Sequence, residues 1–356
     1  MAGPNSHPWW HPETLARKRP FLDARRAAVK AVRAYFQAEG FIEVETPAIQ
    51  VSPGVERHIR PIALNLREPL EPRSSGRYLH TSPEFAMKKL LAGGMEKIVQ
   101  LARVYRDGER SPLHEPEFTM LEWYRANADY RSMMDDCAAL LRHVGKSVQR
   151  SLAHDGLMRR GTLACDPAVS PVRMTVAEAF ESYARIDLLA TLDDPVGPAP
   201  PPGKLRAAVR GQGIHVSDSD TWEDIFFRVM LERIEPRLGA GAPTVLCEYP
   251  ANLAALARRK AADRRVAERF ELYACGVELA NAYSELTDPI EQRARFEADR
   301  ALHAQLYGTA PPVDEDLLAA LTRLPPSAGC ALGFDRMVML ATGADEIADV
   351  LWAPVV

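Results

Sequence analysis

Two carboxylates flank a tight turn in the stretch ERFELYACGVELANAYSEL, and their spacing limits what they can hold. Cys275-Gly276 has the makeup of a two-residue hairpin turn, which pairs Tyr273 with Glu278. Glu271, two residues before Tyr273, then shares a face with Glu278, and diagonal neighbours of this kind sit about 7 to 8 Å apart by Cα. Two unpaired acids so placed repel, and a hard cation such as Mg²⁺ resolves the conflict. Taken alone, the pair also fits a solvated acidic face. Strand parity adds a condition: a straight strand turns Asn281 and Glu285 away from Glu278, so a shared pocket requires a bulge or bend after Ala280.

A second constellation lies in RVYRDGERSPLHEPEFTMLEWY. Alternation sends Phe118, Met120, Glu122 and Tyr124 to one face, and a carboxylate beside aromatic rings suits a small cationic substrate. Arg106 ends the incoming strand, where a planar, permanently charged guanidinium can grip a phosphate through two hydrogen bonds. An ordinary surface ion pair is the plainer alternative. In the third stretch, GCALGFDRMVMLATG, a strand turns through glycine into an apolar helix with Arg336 at its opening, an arrangement that suits phosphate groups. Neither GxxxxGK[ST] nor GxGxxG occurs in the chain.

The elements that must position these residues are partly legible. From Leu22 to Glu39 apolar residues recur at helical spacing, with Asp23 as cap and Gly40 as stop. The preceding residues 1–20 read as an arm, and 21–356 as the folded unit that carries these constellations. FIEVETP follows as a short strand closed by Pro47. Runs from Ile98 to Arg106 and from Glu117 to Tyr124 read as a long hairpin. Residues 130 to 190 read as mostly helical. A helical, Pro-rich insertion is expected around 150–245, with DDPVGPAPPPGK (Asp193 to Lys204) as a surface loop within it. Strands return at TVLCEYP and at the Glu271 hairpin, and a charged helix follows from Asp288 to about Leu306.

Composition narrows the class. With 356 residues, 47% of them hydrophobic and 26% charged, the chain can bury a large core. The balance of 44 Lys+Arg against 48 Asp+Glu, with no basic block, weighs against strong general nucleic-acid binding. Five scattered cysteines without a CxxC pair read as free buried thiols. No apolar run approaches the ~20 residues of a membrane span, and a cytoplasmic protein without membrane contact is expected.

Taken in order, FIEVETP, RVYRDGERSPLHEPEFTMLEWY, and ELANAYSEL with GCALGFDR resemble motifs one, two and three of class II aminoacyl-tRNA synthetases, over about residues 22–345. HEPEFTMLEWY resembles the lysyl branch in particular. The resemblance implies an α+β fold, a mostly antiparallel sheet flanked by helices, and an ATP-dependent ligase that forms an aminoacyl-adenylate. It places Arg106 on the ATP α-phosphate and Arg336 on the γ-phosphate as the catalytic pair. Phe118 matches the ring that stacks on adenine, with His114 nearby, and Glu271 and Glu278 match the acids that hold Mg²⁺. Ser82, Glu84, Glu122, Tyr124, Asn281, Glu285 and Ala331 match positions around a lysine-like substrate. Motif one implies a homodimer.

The chain departs from the family at three points. The family's motif-two Arg-x-Glu becomes Arg106-Asp107-Gly108 followed by Glu109, which is the acid left for adenine. Glu115 stands where Asn is usual. Before motif one there are only about twenty residues, so no anticodon recognition is expected. That build is similar to the synthetase paralogues that attach (R)-β-lysine to a lysine of elongation factor P, which share Ser82 and Ala331 where lysyl-tRNA synthetases have Ala and Gly. A truncated enzyme making lysyl-tRNA or another lysyl amide is the alternative, and a catalytically dead regulator is a more distant one.

Overall fold

A computed structural model of the chain describes residues 7–54, 56–67 and 75–355; residues 1–6 of the expected arm lie outside them. The chain opens with α1 (Pro12–Ala38), β1 (Ile42–Glu43), β2 (Ile49–Gln50), β3 (Ala63–Leu66), β4 (Ser75–Leu79), α2 (Glu84–Ala92), β5 (Lys97–Tyr105) and β6 (Glu117–Ala126). Next come α3 (Tyr130–Leu152), β7 (Met158–Arg160), β8 (Leu163–Cys165), β9 (Val172–Thr175), α4 (Val176–Ala184), α5 (Gly203–Gly211), α6 (Trp222–Val229) and β10 (Thr244–Cys247). It closes with β11 (Arg269–Ala274), β12 (Val277–Ser284), α7 (Pro289–Tyr307), α8 (Glu315–Leu321), β13 (Ser327–Gly333) and α9 (Phe334–Thr342).

Among the described residues, eight strands form one sheet in the order β1-β5-β6-β13-β12-β11-β10-β9. Its centre is antiparallel and its two edge pairs, β1 with β5 and β9 with β10, are parallel. This is the α+β architecture expected. Parity divides the sheet's two faces between core and site. Leu121 and Trp123 of β6, Leu272 of β11 and Cys330 and Leu332 of β13 meet buried residues of α1, α3 and α9, including Val32, Phe36, Leu140, Leu141 and Val338. The alternate residues face the other way, leaving that face free for chemistry. A second core gathers α4, α5 and α6 against Leu246, Tyr249 and Tyr273.

Two expectations need correction. The first helix begins at Pro12, ten residues before its apolar period is legible, because capping does not need a buried face. His11 Nδ1 accepts from the Glu13 amide at 3.3 Å, Pro12 fills the first turn, and Lys18 Nζ donates to the Leu351 carbonyl at 2.7 Å. Asp23, expected as cap, lies inside the helix and accepts from Arg19 Nε at 3.0 Å. The helix does stop as expected, with Gly40 at φ 77° and the Phe41 amide bonding back to Phe36. Residues 130–190 are less helical than expected: β7, β8 and β9 interrupt them, each three or four residues long and too short to show alternation. All five cysteines are buried and free. No helix among the described residues is long and apolar enough to cross a membrane.

One buried joint ties the helices to the site face. Arg25 Nη1 of α1 meets Asp335 Oδ1 of α9 at 2.5 Å, Arg25 Nη2 donates to Thr119 Oγ1 at 2.9 Å, and the Thr119 amide donates to Asp335 Oδ2 at 2.7 Å. Removing one partner strands the other charge in the interior. Arg25→Met and Asp335→Asn are each expected to lower unfolding free energy by about 3–5 kcal/mol in urea titrations. The double variant is expected to lose less than the sum of the two.

Candidate active site

Thirteen of the fourteen residues assigned a role at the site from the sequence line a single cavity of about 410 Å³, including Ser82, Glu84, Glu109, Asn281 and Ala331. Glu285 is the exception. It is 1% exposed and sits one layer deeper, its Oε2 2.6 Å from the ammonium of Lys88.

Strand geometry explains how the residues converge. Cys275 and Gly276 have φ of 51° and 69°, as a two-residue hairpin turn with both central residues left-handed requires. Tyr273 pairs with Glu278 as expected, but Leu272 then pairs with Ala280, so Leu279 is an extra residue. The bulge therefore precedes Ala280 instead of following it. Because Asn281 pairs with Glu271, the bulge returns Asn281 to the face of Glu278. On β13, Ala331 lies between Glu122 of β6 and Asn281 of β12.

One end of the cavity is cationic. Arg106 lies 5.2 Å over the Phe118 ring, its Nε is buried without a hydrogen-bond partner, and Glu109 stands 3.8 Å from its Nη1. Arg336 donates through Nη1 to the Glu278 carbonyl at 3.0 Å and contacts His114 Nε2 at 2.5 Å. A guanidinium can only donate, so His114 accepts and is neutral. Burial, followed by Arg336, lowers the pKa of His114 in the same sense.

Beside them stand the two acids of the β11–β12 hairpin. Glu271 accepts from Tyr249 and Tyr273 at 2.5 and 2.7 Å and pairs with Arg269 Nη2 at 2.6 Å. Glu278 is freer: 42% of its side chain is open, and its closest cation is Arg336 at 4.0 Å. Desolvation inside the concave site, then Glu271, push the pKa of Glu278 up to about 7. An acid raised in this way by an acidic neighbour is one that a divalent cation would relieve, and the oxygen donors fit Mg²⁺.

The other end is acidic and deep. Glu122, 1% exposed, accepts from Ser82 Oγ and from Tyr124 Oη, both at 2.6 Å. Glu84 accepts from Lys88 Nζ at 2.5 Å and from Tyr283 Oη at 2.7 Å. Lys88 thus bridges Glu84 and Glu285; burial opposes its charge, but Glu285 and Glu84 outweigh burial and raise its pKa. Three carboxylates therefore face one ammonium. Burial pushes Glu122 and Glu285 up to about 8; Glu84 adds to both, while Lys88 opposes the rise in both. The excess negative charge is what a substrate with amino groups would neutralise.

Lys88, Tyr283, Arg269 and Tyr249 were not singled out from the sequence. Lys88 stands four residues after Glu84, a spacing that reads as a surface helix pair. Arg269 and Tyr283 share parity with Glu271 and Asn281 and were within reach of the same argument. Tyr249 arrives from outside the hairpin and left no local signal.

The fold and the two-ended site define an adenylate-forming synthetase core. The chain matches the family model "tRNA synthetases class II (D, K and N)" over residues 14–356 and belongs to that family. It is 36% identical over 345 residues to the elongation factor P–(R)-beta-lysine ligase of Salmonella gallinarum (strain 287/91 / NCTC 13346), covering 96% of each chain. The ligases of the same name from Salmonella paratyphi B (strain ATCC BAA-1250 / SPB7) and Salmonella dublin are 36% identical over 344 residues, again covering 96% of each chain. The protein is therefore a class II synthetase-type ligase that uses ATP.

The charge imbalance gives a pH dependence. A carboxyl whose pKa is raised in the folded state binds more protons folded than unfolded, so it withdraws stability as pH rises from about 5 to 8. The ligand-free protein is expected to lose thermal stability over that window. Diamine affinity is expected to rise roughly tenfold from pH 6 to 8 in calorimetric titrations, as ammonium groups displace those protons, and Glu122→Gln is expected to flatten the rise.

Proposed function

We propose that the protein activates (R)-β-lysine, or lysine, with ATP and transfers the aminoacyl group to a lysine side chain of elongation factor P. The observation that carries this reading is the joining, in one cavity, of a guanidinium-lined end to a carboxylate set that outnumbers its buried cation. The name of the relatives, matched over 96% of their length, supports it.

In this reading the substrate carboxylate attacks the α-phosphorus in line, pyrophosphate leaves, and a mixed anhydride remains. Arg106, with its unpartnered Nε, takes the α-phosphate, and Arg336, backed by His114, takes the γ-phosphate. Phe118 stacks on adenine, with Glu109 as the nearby acid. Mg²⁺ held by Glu271 and Glu278 would neutralise triphosphate charge. Glu84, Glu122, Tyr124 and Asn281 hold the amino acid, and Glu285, expected among them, acts from behind through Lys88. No covalent enzyme intermediate is needed, so catalysis rests on position and charge neutralisation. Ser82 offers its hydroxyl beside Glu122, and the Ala331 methyl narrows the site where an α-amino group would lie. Together they favour a displaced, β-amino group. The enzyme works in the cytoplasm as a homodimer; Ile42 and Ile49, 56% and 42% exposed near motif one, suit such an interface.

Pyrophosphate exchange with α-lysine and both β-lysine enantiomers tests the substrate, and labelling of elongation factor P against tRNA tests the acceptor. Exchange is expected to be fastest with (R)-β-lysine, and lysyl-tRNA as the main product would overturn the acceptor assignment. Arg106→Ala is expected to lower exchange by at least about a hundredfold, so near-normal exchange would remove it from the mechanism. Ala331→Gly is expected to move the preference about tenfold towards α-lysine, as one methyl is worth about 1–3 kcal/mol.

A further inference from the structure

We propose that Glu56 is the catalytic base of the second half-reaction, taking a proton from the acceptor's ammonium before that nitrogen attacks the activated acyl group. The inference rests on the proposed sequence of adenylate formation and transfer to an amine. It arises from a chemical need. A lysine side chain has a pKa of about 10.4, so near neutrality the acceptor arrives as an ammonium with no lone pair to attack with. A hydroxyl acceptor does not present this problem.

Most acids in and directly behind the cavity are unsuited to the task. Glu84, Glu122 and Glu285 are 8%, 1% and 1% exposed and are held by Lys88, Ser82, Tyr124 or Tyr283. Glu271 already serves two phenols and Arg269. Glu278 and Glu109 lie beside Arg336 and Arg106 at the phosphate end. Glu56 differs from all of them. It lines the same cavity, is exposed at its open side, and its only hydrogen bond among the described residues is through its carbonyl, to the Ile59 amide at 3.3 Å.

The segment carrying Glu56 is fixed against the reaction centre. Arg57 Nη1 pairs with Glu223 of α6 at 2.7 Å, and its Nη2 pairs with Asp299 of α7 at 2.6 Å. Three residues further on, the Arg60 carbonyl accepts from the Asp107 amide at 2.8 Å, and the two side chains pair at 3.1 Å. Asp107 follows Arg106, so the strap is tied beside the residue assigned to the α-phosphate. In the adenylate the acyl carbon is one oxygen away from that phosphorus. The charged groups around Glu56 are Arg106, Glu84, Arg269 and Asp299. Although Glu56 is exposed, desolvation by the surrounding cavity walls raises its pKa, Arg106 and Arg269 oppose that, and Glu84 and Asp299 reinforce it, with a net rise that favours proton uptake.

The step balances. Glu56 takes one proton, the freed nitrogen pair forms the N–C bond, the anhydride C–O bond breaks, and AMP leaves with its electrons. The second nitrogen proton passes to the departing phosphate, and Glu56 releases its own to solvent.

Three acceptors test this on the full-length protein charged in place with ATP and the diamine: elongation factor P and butylamine, both ammonium ions near pH 7, and hydroxylamine, which is neutral there. For Glu56→Gln, amide formation with either ammonium is expected to fall about a hundredfold relative to hydroxamate formation, the low end of general-base effects. Glu56→Asp is expected to recover part of the loss. Hydroxamate yield reports the adenylate each variant still makes, so misfolding cannot imitate the result. An equal fall with all three acceptors would assign Glu56 to amino-acid binding, and an undiminished butylamine rate would leave it no part in transfer; either overturns the proposal. Wild-type protein that forms no hydroxamate with any lysine isomer would overturn the activation reading and the base with it. Butylamide formation without labelling of elongation factor P would sink the acceptor assignment but uphold Glu56.

Discussion

The buried meeting of Arg25, Asp335 and Thr119 is the constraint on which the site's geometry depends. A buried ion pair gains little over apolar packing, because desolvation consumes most of the Coulomb energy. What it supplies is registry. Asp335 immediately precedes Arg336, and Thr119 immediately follows Phe118. With its two oxygens bound to Arg25 and to the Thr119 amide, Asp335 can occupy one position along β6. The opening of α9, the β6 strand and α1 are thereby locked together although they lie about a hundred to three hundred residues apart. Arg336 inherits its place from that lock, and its contact with His114 then draws in the motif-two loop.

At the opposite end, order comes from an unresolved charge. Lys88 is 1% exposed and holds Glu84 and Glu285 together, yet it neutralises only one of the three acids around it. The phenol of Tyr124 and the hydroxyl of Ser82 donate to Glu122, and the phenol of Tyr283 donates to Glu84. Burial pushes Glu122 and Glu285 up to about 8, and the hydrogen bonds that Glu122 accepts from neutral groups lower its pKa too little to offset that burial. An acidic set held in this way is preorganised: a cationic substrate of the kind proposed would meet acids already aimed, with little reorganisation to oppose binding.

How much of this was legible in the sequence follows from whether the signal is local. The Cys275-Gly276 turn fixed the pairing of Tyr273 with Glu278, and two-residue parity put Phe118, Met120, Glu122 and Tyr124 on one face. Both depend on neighbours within a few residues. Parity also announced that a bulge must exist, because Asn281 could not otherwise join Glu278. It placed the bulge after Ala280, one step too late, because nothing local to the strand marks Leu279 as the extra residue. The start of α1 was missed because a cap and a proline begin a helix without any apolar period. Lys88 and Tyr249 were missed because their burial comes from distant segments, the first from Glu285 just beyond β12 and the second from the α4–α6 core. Glu56 was silent for the same reason: only the folded strap, pinned by Arg57 and Arg60, brings it beside Arg106.

The small residues of β13 show how volume and charge act together in the site. A Cβ added at Gly329 would lie 2.2 Å from Tyr124 Cε1 and 2.8 Å from Glu285 Oε1, so this position must stay empty for the ring and the carboxylate to stand there at all. Two residues on, on the same face, Ala331 carries a methyl between Glu122 and Asn281. Gly333, the next on that face, would meet only ordinary contact with Arg336. The strand therefore has one position where glycine is compulsory, one where a side chain would be tolerated, and between them a methyl placed beside Glu122, the acid proposed to receive an amine. A single carbon there changes the space available to an amino group without touching the carboxylates that attract it. Under the proposed function, affinity for a diamine and choice among its isomers would thus be set by different atoms, the carboxylates governing whether an amine binds and β13 where along the substrate it sits.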